Sequence, residues 1–459
     1  MFFLSFKVSV MGKKVFLTMP LLLVSSAVLA SNLLPDMSAA TTLKQPQSYA
    51  RLNLTQAVQR AIEWHPMITS ATERLNQQSE EISLAKSAYY PQIKTGVKSS
   101  YRDSEGRSEE ALTVTGSQLL YDFGKVSSRV EAAEYGVEKY QADSLRIIDQ
   151  LARETAFAAT EVQRYQELVK IAGEQVAGVS DLLELSKKRS EMGASTRSDE
   201  MQAQSRREAA LATELQLVSQ LEMWKRTLQN LVGSTVPPEI IPSVVPAMTQ
   251  ACSVNISTLS NVPAVMVAEA QRAEALANIK ASNAEFYPTI TVDAGAEHYL
   301  RDRDRGNNNN KRDRNDYTVS LNFNVDLYQG GATTARKRGA EYALRAADAA
   351  KDEALLDISR GLQEATTQAA TYNQRLTILQ SRISSIIDTQ NIYKQQYISL
   401  GTRTLLDLLN TEQEIHQARM ERVNAIQDLQ RLNIDCLYNT ANLRNAFSIN
   451  NYSMLGNDK

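Results

Sequence analysis

The chain has 459 residues with 50 basic and 52 acidic side chains, three histidines and two cysteines. A formal charge of -2 spread over that length offers no field for nucleic acid or an anionic membrane face, so no nucleic-acid partner is expected. The first thirty residues supply Lys7, Lys13 and Lys14 and no acid, so the remainder carries -5 (-2 minus 3).

Residues 1–30 read as a secretory signal: Lys13 and Lys14, an apolar run from Val15 to Leu29, then Val28-Leu29-Ala30 before Ser31. A retained transmembrane anchor is the alternative, and the run is short for one. Beyond Ala30 no stretch approaches eighteen consecutive apolar residues, so any membrane insertion there must use strands. Residues 31–50 mix Ser, Thr, Pro and Gln without periodicity and are expected to form a flexible leader.

A first repeat is expected over 51–236. It opens with a helix through Leu54, Ala57, Val58, Ala61 and Ile62, and a second runs from Met67 to Ala88 and stops at Tyr90-Pro91. Strands are expected at 93–102 and 111–122, with a polar turn between them. After Asp122-Phe123-Gly124 the period becomes helical, and Leu151, Thr155, Ala158, Val162, Tyr165, Val169, Ala172, Val176, Val179 and Leu183 follow steps of four and three, a coiled-coil seam. A continuous helix from Lys125 to Glu191 would be about 100 Å long. Gly193 ends it, a return helix runs from about Ser198 to Leu231, and prolines 237, 238, 242 and 246 mark a linker over 237–250.

The second repeat, 251–447, copies this order. Pro263 to Pro288 spans the same 25 positions as Pro66 to Pro91, and strands are expected at 289–301 and 317–328. A second long helix from Ala332 to Ser399 carries Ile358, Leu362, Ala365, Ala369, Tyr372, Leu376, Leu379, Ile383, Ile386, Tyr393, Tyr397 and Leu400 on the same rhythm. Gly401 breaks it, and an amphipathic helix resumes through Leu405, Leu408, Leu409 and Ile415. The offset between repeats grows from 197 at the Tyr-Pro pairs to 208 at the tip glycines Gly193 and Gly401, mostly through a longer turn at Arg301 to Arg314. A tail, 448–459, closes the chain.

The fold expected is mainly α with a β contribution. Val319, Leu321, Phe323, Val325 and Leu327 alternate with polar residues, as in a membrane barrel wall or a half-buried soluble strand. Four strands cannot close a barrel, so the chain must oligomerise, and three copies would supply twelve strands around a bore. Cys252 in the linker region and Cys436 near the end of the last long helix are the only cysteines; a disulfide and two buried thiols both remain open. His65, His298 and His416 lie in different settings without metal-ligand spacing, and Gly330-Gly331 lacks a phosphate-loop context, so neither an enzyme nor a cofactor is expected.

At this point the chain resembles the TolC-type outer-membrane channel family over nearly all of its mature length. The duplicated helix and hairpin order, the Tyr-Pro pairs, Leu119-Leu120-Tyr121-Asp122-Phe123-Gly124 and Gly401-Thr402-Arg403-Thr404-Leu405-Leu406-Asp407 carry the resemblance. It implies a homotrimer in the outer membrane of a Gram-negative bacterium, with a twelve-stranded barrel, a periplasmic α-barrel and a constricted tip that docks a periplasmic adaptor of an inner-membrane pump. It further implies that Arg403 and Asp199 tether the inner hairpin to its neighbour and that Asp407 forms a carboxylate ring. Asn410 stands where the family pattern often has a second aspartate. The run Leu405 to Glu414 resembles members serving type I secretion with an ABC transporter, the alternative being multidrug or metal efflux with a proton-driven pump. A non-channel periplasmic coiled-coil scaffold would explain the heptads and leave the strands unexplained.

Overall fold

The computed structural model describes residues 47–102, 107–253, 259–300 and 314–449. The expected signal segment, most of the leader, the turn after Arg301 and most of the tail lie outside the described residues.

Strand β1 (Arg51–Leu52) leads into helix α1 (Leu54–Trp64), whose start is fixed by a capping box: Asn53 accepts from Gln56 N, and the Gln56 side chain accepts from Asn53 N. Helices α2 (Pro66–Ser87) and α5 (Pro263–Ala284) are each 22 residues long and open with proline at a first-turn position where no N–H is needed. Strands β2 (Gln92–Arg102) and β5 (Thr289–Tyr299) are both 11 residues long. Their starts, like those of α2 and α5, are 197 positions apart (289 minus 92, 263 minus 66). The duplication is thus present element for element.

Helix α3 (Lys125–Glu191) runs unbroken for 67 residues, about 100 Å at the helical rise. Asp122 secures its start by accepting from Gly124 N at 3.0 Å and Val126 N at 2.6 Å. Its seam is buried: Leu151, Thr155, Ala158, Val162, Ala172, Val179 and Leu183 face α4 (Arg197–Val232), α5 and α7 (Leu405–Asn439). The central core joins that seam to Val58 and Ile62 of α1, Leu228 of α4, Ile240 of β4 (Glu239–Ile240) and Phe447, just past α8 (Leu443–Ala446). A disulfide joins Cys252 to Cys436, with Cα atoms 5.3 Å apart, and fastens the inter-repeat segment to α7. Among the described residues no helix is long and apolar enough to cross a membrane, a statement that does not bear on strands.

One antiparallel sheet combines both hairpins in the order β2-β3-β5-β6, with β3 spanning Arg107–Tyr121 and β6 Asn315–Asn324. Its register sets Val97 against Leu112, Val114 against Ala296, Ala296 against Tyr317, Ala294 against Val319, and Val292 against Leu321 on one face. Lys94, Thr113, Thr115, Ser117, Asp293, Glu297 and Asn322 occupy the other, where Asp293 accepts from Ser117 Oγ at 2.5 Å and from Asn322. The apolar face lies open: Ile93, Val97, Tyr317 and Val319 are each more than two-thirds exposed. Past the end of β3 Phe123 stacks on Tyr287 with ring centroids 5.5 Å apart and meets the Tyr121 ring edge-on at 4.7 Å; Tyr89 and Tyr90 are also exposed.

Three expectations need correction. The second strand was expected over 111–122 but spans Arg107–Tyr121, because its ladder with β2 continues to the Arg102–Arg107 pair. The last strand was expected over 317–328 but ends at Asn324, because its partner β5 begins at Thr289, directly after Pro288, and the ladder runs out at the Thr289–Asn324 pair. Leu400 is not in the seam of α6 (Ala332–Gln395) but is 69% exposed, because residues Gln396–Leu400 form a π-turn. The wider turn breaks the three-four rhythm after Tyr397, which remains buried.

Candidate pore constriction

Both long helices end in a left-handed glycine, Gly193 at φ +71° and Gly401 at φ +63°, a conformation that costs a side-chain-bearing residue energy. Three residues later a threonine caps the return helix. Thr196 Oγ1 accepts from Asp199 N at 3.3 Å and Asp199 Oδ2 accepts from Thr196 N at 3.1 Å. Thr404 and Asp407 repeat the pair at 3.3 and 3.1 Å. Each aspartate is therefore the reciprocal member of a capping box, at the positive end of its helix dipole.

The carboxyl of Asp407 lies below its ordinary range, first because the Thr404 backbone N–H donates to it, then because the Thr404 hydroxyl does. At Asp199 burial pushes upward, and bonds from Ser195 Oγ at 2.8 Å and from Thr196 outweigh it, so this carboxyl too is held low. Both side chains are ionised at neutral pH and accessible to solvent.

Arg403 and Asp199 do not meet within the chain. Arg403 donates from Nε to Gln396 Oε1 at 3.1 Å and lies over the Tyr393 ring at 4.2 Å, while Asp199 is occupied by its own cap. Asn410 accepts from Arg206 Nη2 at 3.4 Å, and Arg206 Nη1 donates to Gln413 at 2.5 Å, so a guanidinium ties α4 to α7 beside this position. A further cross-hairpin contact comes from Arg189, which lies 4.6 Å over the Tyr397 ring and donates to the Tyr397 carbonyl at 3.4 Å. Sequence reasoning missed Arg189 and Arg206, because neither has a local pattern that announces its partner. The two capping boxes could have been found from the Thr-x-x-Asp spacing at 196 and 404.

Beneath the second tip Leu405, Leu408, Leu409 and Tyr397 pack against Val179, Leu182 and Leu183 of α3. The three histidines stand apart: His65 caps α2, His298 faces Asn315 at 2.7 Å, and His416 bonds Glu412 at 2.9 Å. No group of three metal-ligating side chains occurs among the described residues. What the tip can do is present ionised, helix-anchored carboxylates at the end of a hairpin, with arginines adjoining them.

The family model described as "Outer membrane efflux protein" matches residues 57–234 and 256–435. The efflux protein BepC of Brucella suis is 26% identical over 426 residues, covering 89% of this chain and 87% of its own length. TolC of Vibrio cholerae is 25% identical over 402 residues, covering 82% and 87%. Similarity extends to the alkaline protease secretion protein AprF of Pseudomonas aeruginosa, 21% identical over 73% of this chain and 70% of its own. The nickel-cobalt-cadmium resistance protein NccC of Alcaligenes xylosoxydans xylosoxydans is 25% identical over 59% of each. In solved structures the fold matches CusC with a TM-score of 0.75 at 16% identity, covering 86% of this chain and 93% of that one. The match runs across both repeats, and it decides membership: the chain belongs to the outer membrane efflux protein family.

Proposed function

We propose that three copies of this chain close a twelve-stranded barrel in the outer membrane and continue into the periplasm as a helical duct for export. The carrying observation is the sheet. Its outer strands β2 and β6 each leave one edge without a partner strand among the described residues, and its apolar face is exposed. Unpaired edges are costly in lipid, and an antiparallel sheet of even strand number closes when β2 of one copy pairs with β6 of the next. The apolar face then meets lipid, the Asp293 face lines the bore, and the Phe123–Tyr287 aromatics lie at the level where interfacial belts form. Exposed Leu356, Ile378 and Ile392 on α6 supply apolar surface for contact between copies.

At the far end Asp407 of the three copies forms the narrowest ring, concentrating negative potential and favouring cations. Asn410 adds no charge there, and Arg206 beside it weakens the field. Arg403 and Asp199, each satisfied within its own hairpin, form their tether between neighbouring copies. An adaptor protein and an inner-membrane transporter complete the assembly. Type I protein secretion with an ABC transporter is the reading we favour, supported by the LLDLLNTEQE run and by similarity to AprF; similarity to NccC supports efflux of small solutes with a proton-driven pump as the second reading. Copurification with the native pump separates the two: an ABC transporter supports the first, a proton-driven pump overturns it. For the constriction, Asp407→Asn should shift the reversal potential in a salt gradient toward weaker cation selectivity, and an unchanged potential would remove Asp407 from the pore.

A further inference from the structure

The internal duplication relates both open edges of the sheet to strands whose pairing is visible within the chain. β2 and β5 are related by 197 positions (289 minus 92). β3 and β6 are related by 207, a value reached in two independent ways. The ladders place Gln92 opposite Ser117 and Thr289 opposite Asn324, so Asn324 is the counterpart of Ser117 (324 minus 117). The left-handed glycines before the two long helices are Gly124 and Gly331 (331 minus 124). The last strand of one repeat meets the first strand of the next at β3–β5. β6 and the β2 of a second copy are the same two strands, one repeat further on.

Carried over by these offsets, the β3–β5 register places Phe323 opposite Val97 of the next copy, as Gly116 lies opposite Ala294. It places Asp326 opposite Lys94, as Leu119 lies opposite Thr291. Side-chain chemistry selects the same register independently. A slip of one residue would turn Phe323 and Val319 to the polar side, so only even slips keep the faces. Among those, a two-residue slip sets Gln92 or Gly96 against Asp326, and only the unslipped pairing brings it a cation. Lys94 is exposed and has no ion pair among the described residues, and Asp326 accepts from Gln329 Nε2 at 2.6 Å but meets no cation there. The ends of the strands fit as well. β3 is held by β5 as far as Tyr121, whereas its counterpart β6 stops at Asn324, leaving Val325, Leu327 and Tyr328 exposed. The counterpart of Tyr121 is Tyr328, and its place opposite Ile290 is taken by Ile93 of the next copy.

We propose that β6 of one copy and β2 of the next pair in this single register, extended past Asn324 and joined on the bore side by an ion pair between Asp326 and Lys94. The proposal rests on the twelve-stranded closure stated above and specifies its seams.

The test is disulfide trapping in the full-length oligomer purified in detergent, where the native cysteines are already joined. Phe323→Cys with Val97→Cys should link neighbouring copies covalently on mild oxidation, about tenfold or more faster than Phe323→Cys with Thr95→Cys or with Ser99→Cys, whose diagonal positions are too distant for a bridge. Charge exchange supplies a check without introduced thiols. Asp326→Lys and Lys94→Asp should each lower the temperature at which the oligomer dissociates, and the two together should restore it. Faster trapping at either slipped pair, or charge exchanges that do not compensate, would overturn the register and leave closure of β2 on β6 standing. Folded oligomers that trap at none of the three pairs would overturn both.

Discussion

Thr196 and Thr404 cap α4 and α7 with the same pair of hydrogen bonds, yet the helix turns that follow face different surroundings. In α7 the first-turn residues Leu405, Leu408 and Leu409 are buried against α3. The positions 208 residues earlier are Arg197, Glu200 and Met201, and Met201 is 55% exposed. Arg403 likewise corresponds to Ser195, and only the second tip is preceded by a π-turn. One backbone device therefore serves two purposes. The second hairpin is pinned to its own chain by apolar contact, while the first leaves its flank, Asp199 included, for solvent or for a neighbouring copy.

The largest expected effect breaks the comparison at the buried turn. Leu408→Ala should destabilise the second tip by about 2–5 kcal/mol, the range for truncating a buried leucine, whereas Met201→Ala should stay within about 0.5 kcal/mol. Hydrogen exchange at tip amides reads both; comparable losses would mean that the first turn of α4 is also buried in the assembly. Next in size are the caps. Thr404→Ala and Thr196→Ala should each cost about 1 kcal/mol locally, and unequal losses would show that the two boxes are not equivalent.

Acidification should have the smallest effect and the same sign at both tips. Asp199 and Asp407 are held below the ordinary 3.8, so the stability they contribute is complete above that value and is lost as pH falls through the lower folded value. Amide exchange at the starts of α4 and α7 should accelerate together in that window, and the acceleration should vanish in Asp199→Asn and Asp407→Asn. Opposite responses would contradict the shared cap.

The contrast also marks what sequence could reveal. The bounds of α3 were readable because no proline interrupts the chain between Gly124 and Gly193 around the three-four seam from Leu151 to Leu183, and burial of Leu405, Leu408 and Leu409 followed from helical spacing. The duplicated strands were readable from turn residues and alternation, but the end of β6 depended on where its partner began after Pro288. Leu400 was misplaced because a π-turn shifts register without any residue that signals it. At the tip, Asp199, Arg403 and Asp407 were singled out through the family resemblance, whereas the engagement of Arg403 with Gln396 and Tyr393, and of Arg206 with Asn410, depends on three-dimensional neighbours that no spacing encodes.

The most direct measurement is the single-channel conductance of the purified oligomer in planar lipid bilayers, comparing wild type, Arg403→Ala and the corresponding first-tip substitution Ser195→Ala. A duct closed at the second tip predicts a low resting conductance that Arg403→Ala raises severalfold and Ser195→Ala leaves nearly unchanged. Folded oligomers that pass no current in any of the three forms would contradict the duct.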